Sequence, residues 1–203
     1  MKGLLCLPLL LLLSGCSFLH LPFSGDSGTA EKSAAPVKKN KEPAPVHSVS
    51  PEAQRLITEA LEYWTDSGEC TNPEAATALL DRAIAADPLD PAPYLLRSRS
   101  LSDLGYMNEA FDDATRAIRL SPTAEAYATR GFICLKQRHA NGAQRDFSYA
   151  ESINPDEPLI YVYRAAGAFM ENRNKDACAD LEKACSLGYC NPWETAKKDK
   201  LCR

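Results

Sequence analysis

Three phrases determine the fold class predicted for this chain of 203 residues: IAADP at residues 84–88, IRLSP at residues 118–122 and SINP at residues 152–155. Their prolines, Pro88, Pro122 and Pro155, stand 34 and 33 residues apart. Because proline cannot continue a helix, each one predicts a helix that ends just before it. A fixed period near 34 residues is typical of solenoids built from helix pairs. The sequence therefore predicts an all-α chain of repeated helical hairpins.

Aligning the chain on these prolines brings further residue types into register. The aligned residues are Tyr94, Tyr127 and Tyr161 at the fourth position, Ala110, Ala143 and Ala177 at the twentieth, and Ala117, Ala150 and Ala184 at the twenty-seventh. Small side chains let the two helices of a hairpin approach closely. The pattern resembles the tetratricopeptide repeat (TPR) family, whose motif has small residues at positions 8, 20 and 27 and proline at position 32. Sel1-type repeats are a rival, but the short period and the closing prolines count against them.

The resemblance implies a TPR helical-hairpin solenoid of about four repeats over residues 51–190. The first repeat departs most, because Ala60 and Tyr63 take positions 8 and 11 only if about four extra residues lie between Gly68 and Pro73. The added length predicts a longer loop between the two helices of this repeat.

The last repeat lacks a closing proline and ends at Gly188, an expected helix C-cap. After it, Asn191 and Pro192 predict a capping helix from Trp193 to about Lys200, within a capping helix and tail at residues 191–203. A solenoid needs such a cap because its last repeat would otherwise expose an apolar face.

The first 50 residues predict export and membrane attachment. An apolar run of ten residues, Leu4 to Leu13, is about half the length that spans a bilayer, so residues 1–15 are expected to be a signal peptide. The run ends in Leu13-Ser14-Gly15-Cys16, which resembles the bacterial lipobox and implies lipidation of Cys16. The alternative is an ordinary signal peptide followed by a chance cysteine. Two or three acyl chains would make the attachment stable.

The same region of the sequence predicts a tether and the location of the protein. Residues 16–50 contain four prolines and four lysines without a sustained helix or strand period, which predicts a disordered tether. Ser17 follows the lipobox cysteine, and by resemblance to enterobacterial lipoproteins this implies the outer membrane. The expected location is therefore on the bacterial membrane, facing the periplasm.

Composition and motifs exclude several function classes. A net charge of −4 without long like-charge blocks gives no electrostatic reason to expect nucleic-acid binding. The three histidines are His20, His47 and His139, too scattered along the chain to assemble a His-based triad or metal cluster. No phosphate-binding loop is present. We therefore expect no enzymatic activity, no cofactor, no metal and no small-molecule substrate.

The cysteines predict disulfides. In the TPR family, positions 21 and 28 of the second helix face the next element, which here implies that Cys178 and Cys185 face the capping helix. The expected pairs are Cys185–Cys190 and Cys178–Cys202, with Cys190–Cys202 as the alternative if the cap is not helical. A zinc site or redox centre made of these four cysteines is the alternative function. Oxidation in an envelope compartment favours the disulfides.

Charged residues recur at two repeat positions. Arginine occupies position 7 and aspartate position 23 in three repeats, and the first repeat lacks both, which predicts an ion pair within each hairpin. The alternative is an arginine ladder that binds an acidic ligand. The residues are Arg97, Arg130 and Arg164 with Asp113, Asp146 and Asp180.

The resemblance also implies a binding groove. In TPR solenoids positions 2, 5, 9, 12 and 13 of each first helix line the concave face. Here this stripe is mostly apolar, which favours a hydrophobic segment of another envelope protein, such as an amphipathic helix, as the partner. The alternative is that the same side chains pack between neighbouring first helices. The stripe comprises Ile57, Leu61, Trp64, Leu95, Arg99, Phe132, Leu135, Lys136, Val162, Phe169 and Met170.

Overall fold

The computed structural model describes residues 47–65, 68 and 70–202, all within the compact unit Pro45–Arg203. The signal peptide, Cys16 and nearly all of the tether lie outside the described residues. None of the helices in the described part is both long and apolar enough to cross a membrane.

The described residues form nine α-helices arranged as four antiparallel hairpins and a terminal helix. The first helix of each hairpin packs on the second helix of the same hairpin, and successive hairpins pack on one another. The fold is therefore an all-α helical-repeat solenoid, as the repeat pattern predicted. The helices are α1 Pro51–Leu61, α2 Pro73–Ala86, α3 Pro91–Leu104, α4 Met107–Leu120, α5 Ala124–Lys136, α6 Ala140–Ile153, α7 Pro158–Met170, α8 Asn174–Ser186 and α9 Asn191–Lys198.

The second helices of the first three repeats end two residues before the repeat prolines. The residue between helix and proline leaves the helical region in each case, with ψ of 89° at Asp87, 106° at Ser121 and 99° at Asn154. Steric conflict with the proline ring disfavours a helical residue at that place. These prolines therefore set the length of each repeat.

Alanines fill the space between the two helices of a hairpin. At position 20, Ala110, Ala143 and Ala177 are at most 1% exposed. The alanines at position 27 are equally buried. A larger side chain at these places would force the helices apart, because protein interiors are closely packed.

Two of the three tyrosines at position 4 connect consecutive repeats. Tyr161 donates a hydrogen bond from its hydroxyl to the carbonyl of Pro155 over 2.7 Å, and Tyr94 does the same to Pro88 over 3.3 Å. In the third repeat, the ring of Tyr127 instead stacks on Tyr149, with ring centroids 5.5 Å apart. The starts of the second and fourth repeats are therefore held against the repeat before them, whereas the Tyr127 contact joins the two helices of its own hairpin.

The first helices of the last three repeats stop at residues with a left-handed backbone. The φ angles are +88° at Gly105, +65° at Arg138 and +58° at Asn172, all at position 15. The amide of the following residue bonds back into the helix, as from His139 to the carbonyl of Cys134 over 2.8 Å. This is the usual way to satisfy the last helical carbonyls, and it produces a turn of two or three residues.

Helix α1 differs from the other first helices. It has 11 residues and ends at Leu61, whereas the others have 13 or 14. The chain then forms a short hairpin in which Thr71 donates its amide to the carbonyl of Tyr63 over 2.8 Å and Trp64 pairs with Cys70. We call residues 62–72 the inner hairpin; the structure describes residues 62–65, 68 and 70–72 of it.

The capping helix covers the last repeat. Helix α9 begins at Asn191 and ends at Lys198, two residues earlier at each end than predicted. Asn191 lies within the first turn instead of before it, and Lys200 has a left-handed φ of +60° that stops the helix. Ala196 and Trp193 of α9 pack on the apolar cluster of the last hairpin. Gly188, the expected cap, also has a left-handed φ, of +94°.

Candidate functional site

The arginines at position 7 meet the aspartates at position 23. Arg130 makes two hydrogen bonds to Asp146, from Nε over 2.8 Å and from Nη2 over 2.7 Å. Arg97 with Asp113 and Arg164 with Asp180 have the same two-bond geometry, at 2.6 to 2.8 Å. Paired bonds of this kind are the strong form of an arginine–carboxylate contact.

Each of these arginines also reaches the preceding repeat. Arg97 contacts Asp81 on α2 at 2.6 Å, and Arg164 contacts Glu151 on α6 at 3.3 Å. Arg130 donates to the hydroxyl of Thr115 on α4 over 3.4 Å. Hydrogen bonding to Asp113 and Asp180 raises the pKa of Arg97 and of Arg164. The three guanidinium groups are therefore engaged in ion pairs and hydrogen bonds within the solenoid. This favours the structural role over an arginine ladder that binds an acidic ligand.

Two disulfides attach the capping helix. Cys178 is joined to Cys202 and Cys185 to Cys190, with Cα atoms 5.5 and 3.9 Å apart. These are the two pairs expected above. Four cysteines joined in this way have no free thiolate for zinc. In the described ranges, no three or more His, Cys, Asp or Glu side chains lie together so that they could hold a metal ion.

The remaining described cysteines are poor thiolates. Cys134 is buried, and Cys70 is half-buried in the inner hairpin. Burial raises the pKa of both thiols. A raised pKa keeps a thiol protonated and unreactive, so the cysteine-based alternative function gains no support from either residue.

The predicted groove residues fall into three groups, and the first belongs to the core. Ile57 is 4% exposed and packs between α1 and α2 with Leu56 and Leu80. Leu95 is 9% exposed and packs against Ala117 and Ala126. Both side chains are therefore buried between helices. Leu95 reaches Ala126 on the neighbouring first helix α5, as the packing alternative expects, whereas Ile57 packs inside its own hairpin.

The second group lies at the two ends of the stripe. Val162 and Phe169 line a cavity of about 280 Å³ between α7 and α9, where Leu181 and Leu201 also contribute. Phe169 packs against the apolar cluster beneath the cap. Leu61 and Met170 are exposed by 45% and 48%.

The third group lies in the middle, where α3, α5 and α7 run side by side. Phe132 stacks on Tyr163 with ring centroids 4.6 Å apart and an angle of 12° between the rings. Lys136 donates to the carbonyl and the hydroxyl of Ser102 over 3.0 and 2.8 Å, and its Nζ lies 5.2 Å from the Phe132 ring. Leu135 packs on Gly167. A Cβ added to Gly167 would lie 2.5 Å from a Leu135 methyl group. We call the surface around Arg99, Phe132, Lys136 and Tyr163 the inner face.

Arg99 lies at the centre of the inner face. Its Nη1 is 3.8 Å from Glu125, and its guanidinium carbon is 5.9 Å from the centre of the Trp64 ring. Its Nη2 donates to the carbonyl of Gly68 over 3.4 Å. Burial, with a contribution from Glu157, raises the pKa of the Glu125 carboxyl. The inner face thus combines aromatic rings with partly buried charges.

The inner hairpin lies over this surface. Gly68 shares a cavity of about 90 Å³ with Arg99, Phe132 and Tyr163. A Cβ on Gly68 would lie 2.5 Å from the hydroxyl of Tyr189, in the segment after α8. Sequence reasoning missed Tyr163, Tyr189 and the position of the hairpin. The only sequence signal was the group of extra residues in the first repeat.

Curated relatives share the repeats. No protein-family model matches the chain. The chain is 32% identical over 113 residues to tetratricopeptide repeat protein 13 of Homo sapiens, a match that covers 56% of this chain and 13% of that protein. It is 37% identical over 91 residues to the TPR repeat-containing thioredoxin TDX of Arabidopsis thaliana, which covers 44% of this chain and 24% of that protein. The chain therefore spans less than a quarter of the length of each.

Solved structures share the fold. A thermophilic TPR protein of Thermus thermophilus superposes with a TM-score of 0.57 and 20% identity, over 66% of this chain and 74% of that one. The structure of the APC/C hetero-tetramer Cut9-Hcn1 gives a TM-score of 0.56 and 18% identity, over 67% of this chain and 25% of that chain. Together with the repeat positions described above, these likenesses show that the helical part of this chain has the fold of tetratricopeptide repeat solenoids.

Proposed function

We propose that this chain is a docking module without catalytic activity, which binds a segment of another protein on its inner face. The observation that carries the proposal is the Phe132–Tyr163 stack, half-buried between Arg99 and Lys136. Aromatic and arginine side chains are enriched at protein–protein contacts. Neither cation is free of acidic neighbours, since Glu125 and Asp103 lie 3.8 and 3.7 Å from them. A predominantly apolar or aromatic segment therefore suits this surface better than a strongly acidic one.

The same proposal places the module at the bacterial envelope. The sequence resembling a lipobox supports an anchor at Cys16, and residues 16–50 would tether the solenoid to the membrane. The two disulfides suit an oxidising compartment such as the periplasm. The partner is then another envelope protein or a peptide from one.

Site-directed photo-crosslinking in native membranes tests the docking surface. A photoreactive phenylalanine analogue at Phe132 should capture a discrete partner. The matched control is the same analogue at Tyr149, an aromatic residue on the second helix of the same repeat that is 59% exposed. Equal capture from both positions, or none from position 132, would reject the inner face as the docking surface.

Two serine substitutions separate binding from packing. Phe132→Ser should abolish the crosslink made from a neighbouring inner-face position while lowering the melting temperature little, because the ring is half-buried. Phe169→Ser should lower the melting temperature more, because Phe169 packs on the cluster beneath the cap. A large fall in melting temperature for Phe132→Ser would assign that ring to the core.

The anchor is tested by one substitution. Cys16→Ala should leave the protein without lipid and move it from the membrane pellet to the soluble fraction, because acyl chains supply nearly all of the attachment. Cys70→Ser serves as the control and should stay in the pellet. A Cys16→Ala protein that remains in the pellet would contradict the anchor.

A further inference from the structure

The inner hairpin covers the surface to which docking is assigned above. Its described residues Trp64 and Gly68 both contact Arg99, although Gly68 is 31 residues away from it in the chain. The hairpin also extends to Tyr189 in the last repeat. We propose that the inner hairpin is an internal ligand of the inner face, and that a partner segment binds by taking its place. This inference rests on the proposed function.

Gly68 makes the close approach possible. Its φ of +82° is in the left-handed region, which glycine adopts without strain. A Cβ at the same residue would lie 2.5 Å from the Tyr189 hydroxyl, so either the end of the Tyr189 side chain or the hairpin would have to shift. The backbone angle therefore favours glycine, and the close contact adds a second cost to any larger residue. A side chain here would push the hairpin away from the inner face.

In the described part of the hairpin, the contacts of Trp64 and Gly68 with Arg99 are long, which favours displacement. The bond from Arg99 to Gly68 is 3.4 Å long, compared with 2.6 to 2.8 Å in the arginine–aspartate pairs. The Trp64 ring lies 5.9 Å from the guanidinium carbon, near the outer limit of a useful cation–π contact. The cavity left below Gly68 shows that the hairpin does not fill the surface. A segment with better contacts would therefore compete successfully.

The hairpin also indicates the chemistry of the partner. It offers the inner face an aromatic ring beside Arg99, a backbone carbonyl to the same guanidinium, and an extended backbone. A competing segment would supply the same three groups. We therefore expect an extended peptide with an aromatic side chain, in preference to the amphipathic helix suggested by the sequence.

Gly68→Val tests the inference without any partner. In a Trp193→Phe background Trp64 is the single tryptophan, because the chain has two. Displacement of the hairpin should raise the acrylamide quenching of Trp64 about twofold and increase the fluorescence of the apolar dye ANS severalfold, as buried rings become accessible. The matched control is Gly105→Val, which has a similar φ of +88° but no atom within 4 Å of the added Cβ. It should change neither signal.

Arg99→Met provides a second route if Gly68→Val does not fold. It removes the guanidinium that contacts both Trp64 and Gly68 and should raise Trp64 quenching to a similar extent. Circular dichroism must show an intact helical content in both variants. Quenching and dye binding equal to those of the parent protein in a folded variant would overturn the inference.

A synthetic peptide tests whether the surface accepts a ligand in trans. The probe has the sequence of residues 62–72 with serine in place of Cys70. It should bind the folded Gly68→Val protein at least about tenfold more tightly than the parent protein, whose own hairpin competes at a high effective concentration. Equal binding to both, or no binding to the variant at millimolar peptide, would overturn the inference. If the photoreactive analogue at position 132 captures no partner, the docking function is rejected instead. That outcome leaves the quenching, dye-binding and peptide-binding results unchanged.

Discussion

Each arginine at position 7 bonds to groups from two repeats. Arg130 joins Asp146 of its own hairpin to Thr115 of the hairpin before it. Asp146 is 6% exposed, and both of its carboxylate oxygens accept hydrogen bonds from Arg130. The same arrangement at Arg97 and Arg164 means that one side chain type contributes both to a hairpin and to the interface between hairpins.

Arg130→Met should lower the free energy of unfolding by about 1 to 3 kcal/mol, because it leaves the buried Asp146 without its partner. Adding Asp146→Leu should recover part of that loss. Chemical denaturation of both single variants and the double variant gives the coupling energy. Arg145→Met, on the exposed side of the same helix α6 as Asp146, is the control and should change stability by less than about 0.5 kcal/mol. Independent, additive losses at Arg130 and Asp146 would show that they do not act as a pair.

Asp87 connects the start of the described chain to the first repeat. Its carboxylate accepts from the amide of Ser50 and lies 2.9 Å from the ring of His47. The Ser50 amide is the main cause of a lowered pKa at Asp87. A lowered pKa in the folded state gives stability that is present above the unfolded value, near pH 4, and is lost as the pH falls through the folded value.

Asp87→Asn should therefore remove part of the acid dependence of stability. Melting temperatures of the parent and the variant, measured from pH 2 to pH 7, should converge as the pH falls below about 4. Asp156→Asn, at an exposed position, is the control. A difference between parent and Asp87→Asn that stays constant over the whole range would contradict the assignment.

At the scale of the helices, the turns within hairpins carry a conformational cost. Arg138 has a φ of +65°, where a residue with a Cβ is strained and glycine is not. Gly105 occupies the equivalent place in the second repeat. Position 15 of the third repeat thus holds Arg138 at a backbone angle that is unfavourable for a residue with a Cβ.

Arg138→Gly should raise the free energy of unfolding by about 0.5 to 1 kcal/mol, because the strain is relieved. Gln137→Gly is the matched control one residue earlier, where φ is −80°, and it should destabilise the protein. Thermal or chemical denaturation measures both. A destabilised Arg138→Gly protein would show that the arginine side chain contributes more than the backbone strain costs.

The helices were predictable from the sequence, and the contact over the inner face was not. Pro88, Pro122 and Pro155 act on their immediate neighbours, so the helix ends follow from local chemistry. The inner hairpin depends on Gly68 meeting Arg99 and Tyr189, which are distant in the chain. No periodic pattern marks such a contact. The repeat positions of Ile57 and Leu95 predicted a place in the groove, because such positions do not separate the inner face from the contacts between helices.

At the scale of the whole molecule, disulfides cross-link the C-terminal end of the solenoid. Within the described residues, the N-terminal end has no such cross-link. The Cys178–Cys202 bridge spans 24 residues and the Cys185–Cys190 bridge spans 5. A cross-link that closes a longer loop removes more entropy from the unfolded chain.

Replacing Cys178 and Cys202 by serine should therefore cost about 3 kcal/mol, and replacing Cys185 and Cys190 about 2 kcal/mol. Denaturation of each double variant measures the two losses. Peptide mapping without reduction, which should recover the same two cross-linked pairs, checks the pairing directly. The Cys134→Ser variant, at a cysteine outside both bridges, controls for the loss of a buried sulfur. A Cys190–Cys202 peptide would refute the connectivity.

Because both bridges lie near the C-terminal end, the solenoid is expected to unfold from its N-terminal end first. Repeat proteins open from their ends, because a terminal repeat has a single neighbour. Here one end carries two cross-links, whereas the other begins with the shortened helix α1. Amide hydrogen exchange should consequently proceed as a gradient, fastest in α1 and α2 and slowest in α7 and α8. If the chain is held at its N-terminus, mechanical load enters at the end that frays first, and the bridged end stays folded longest.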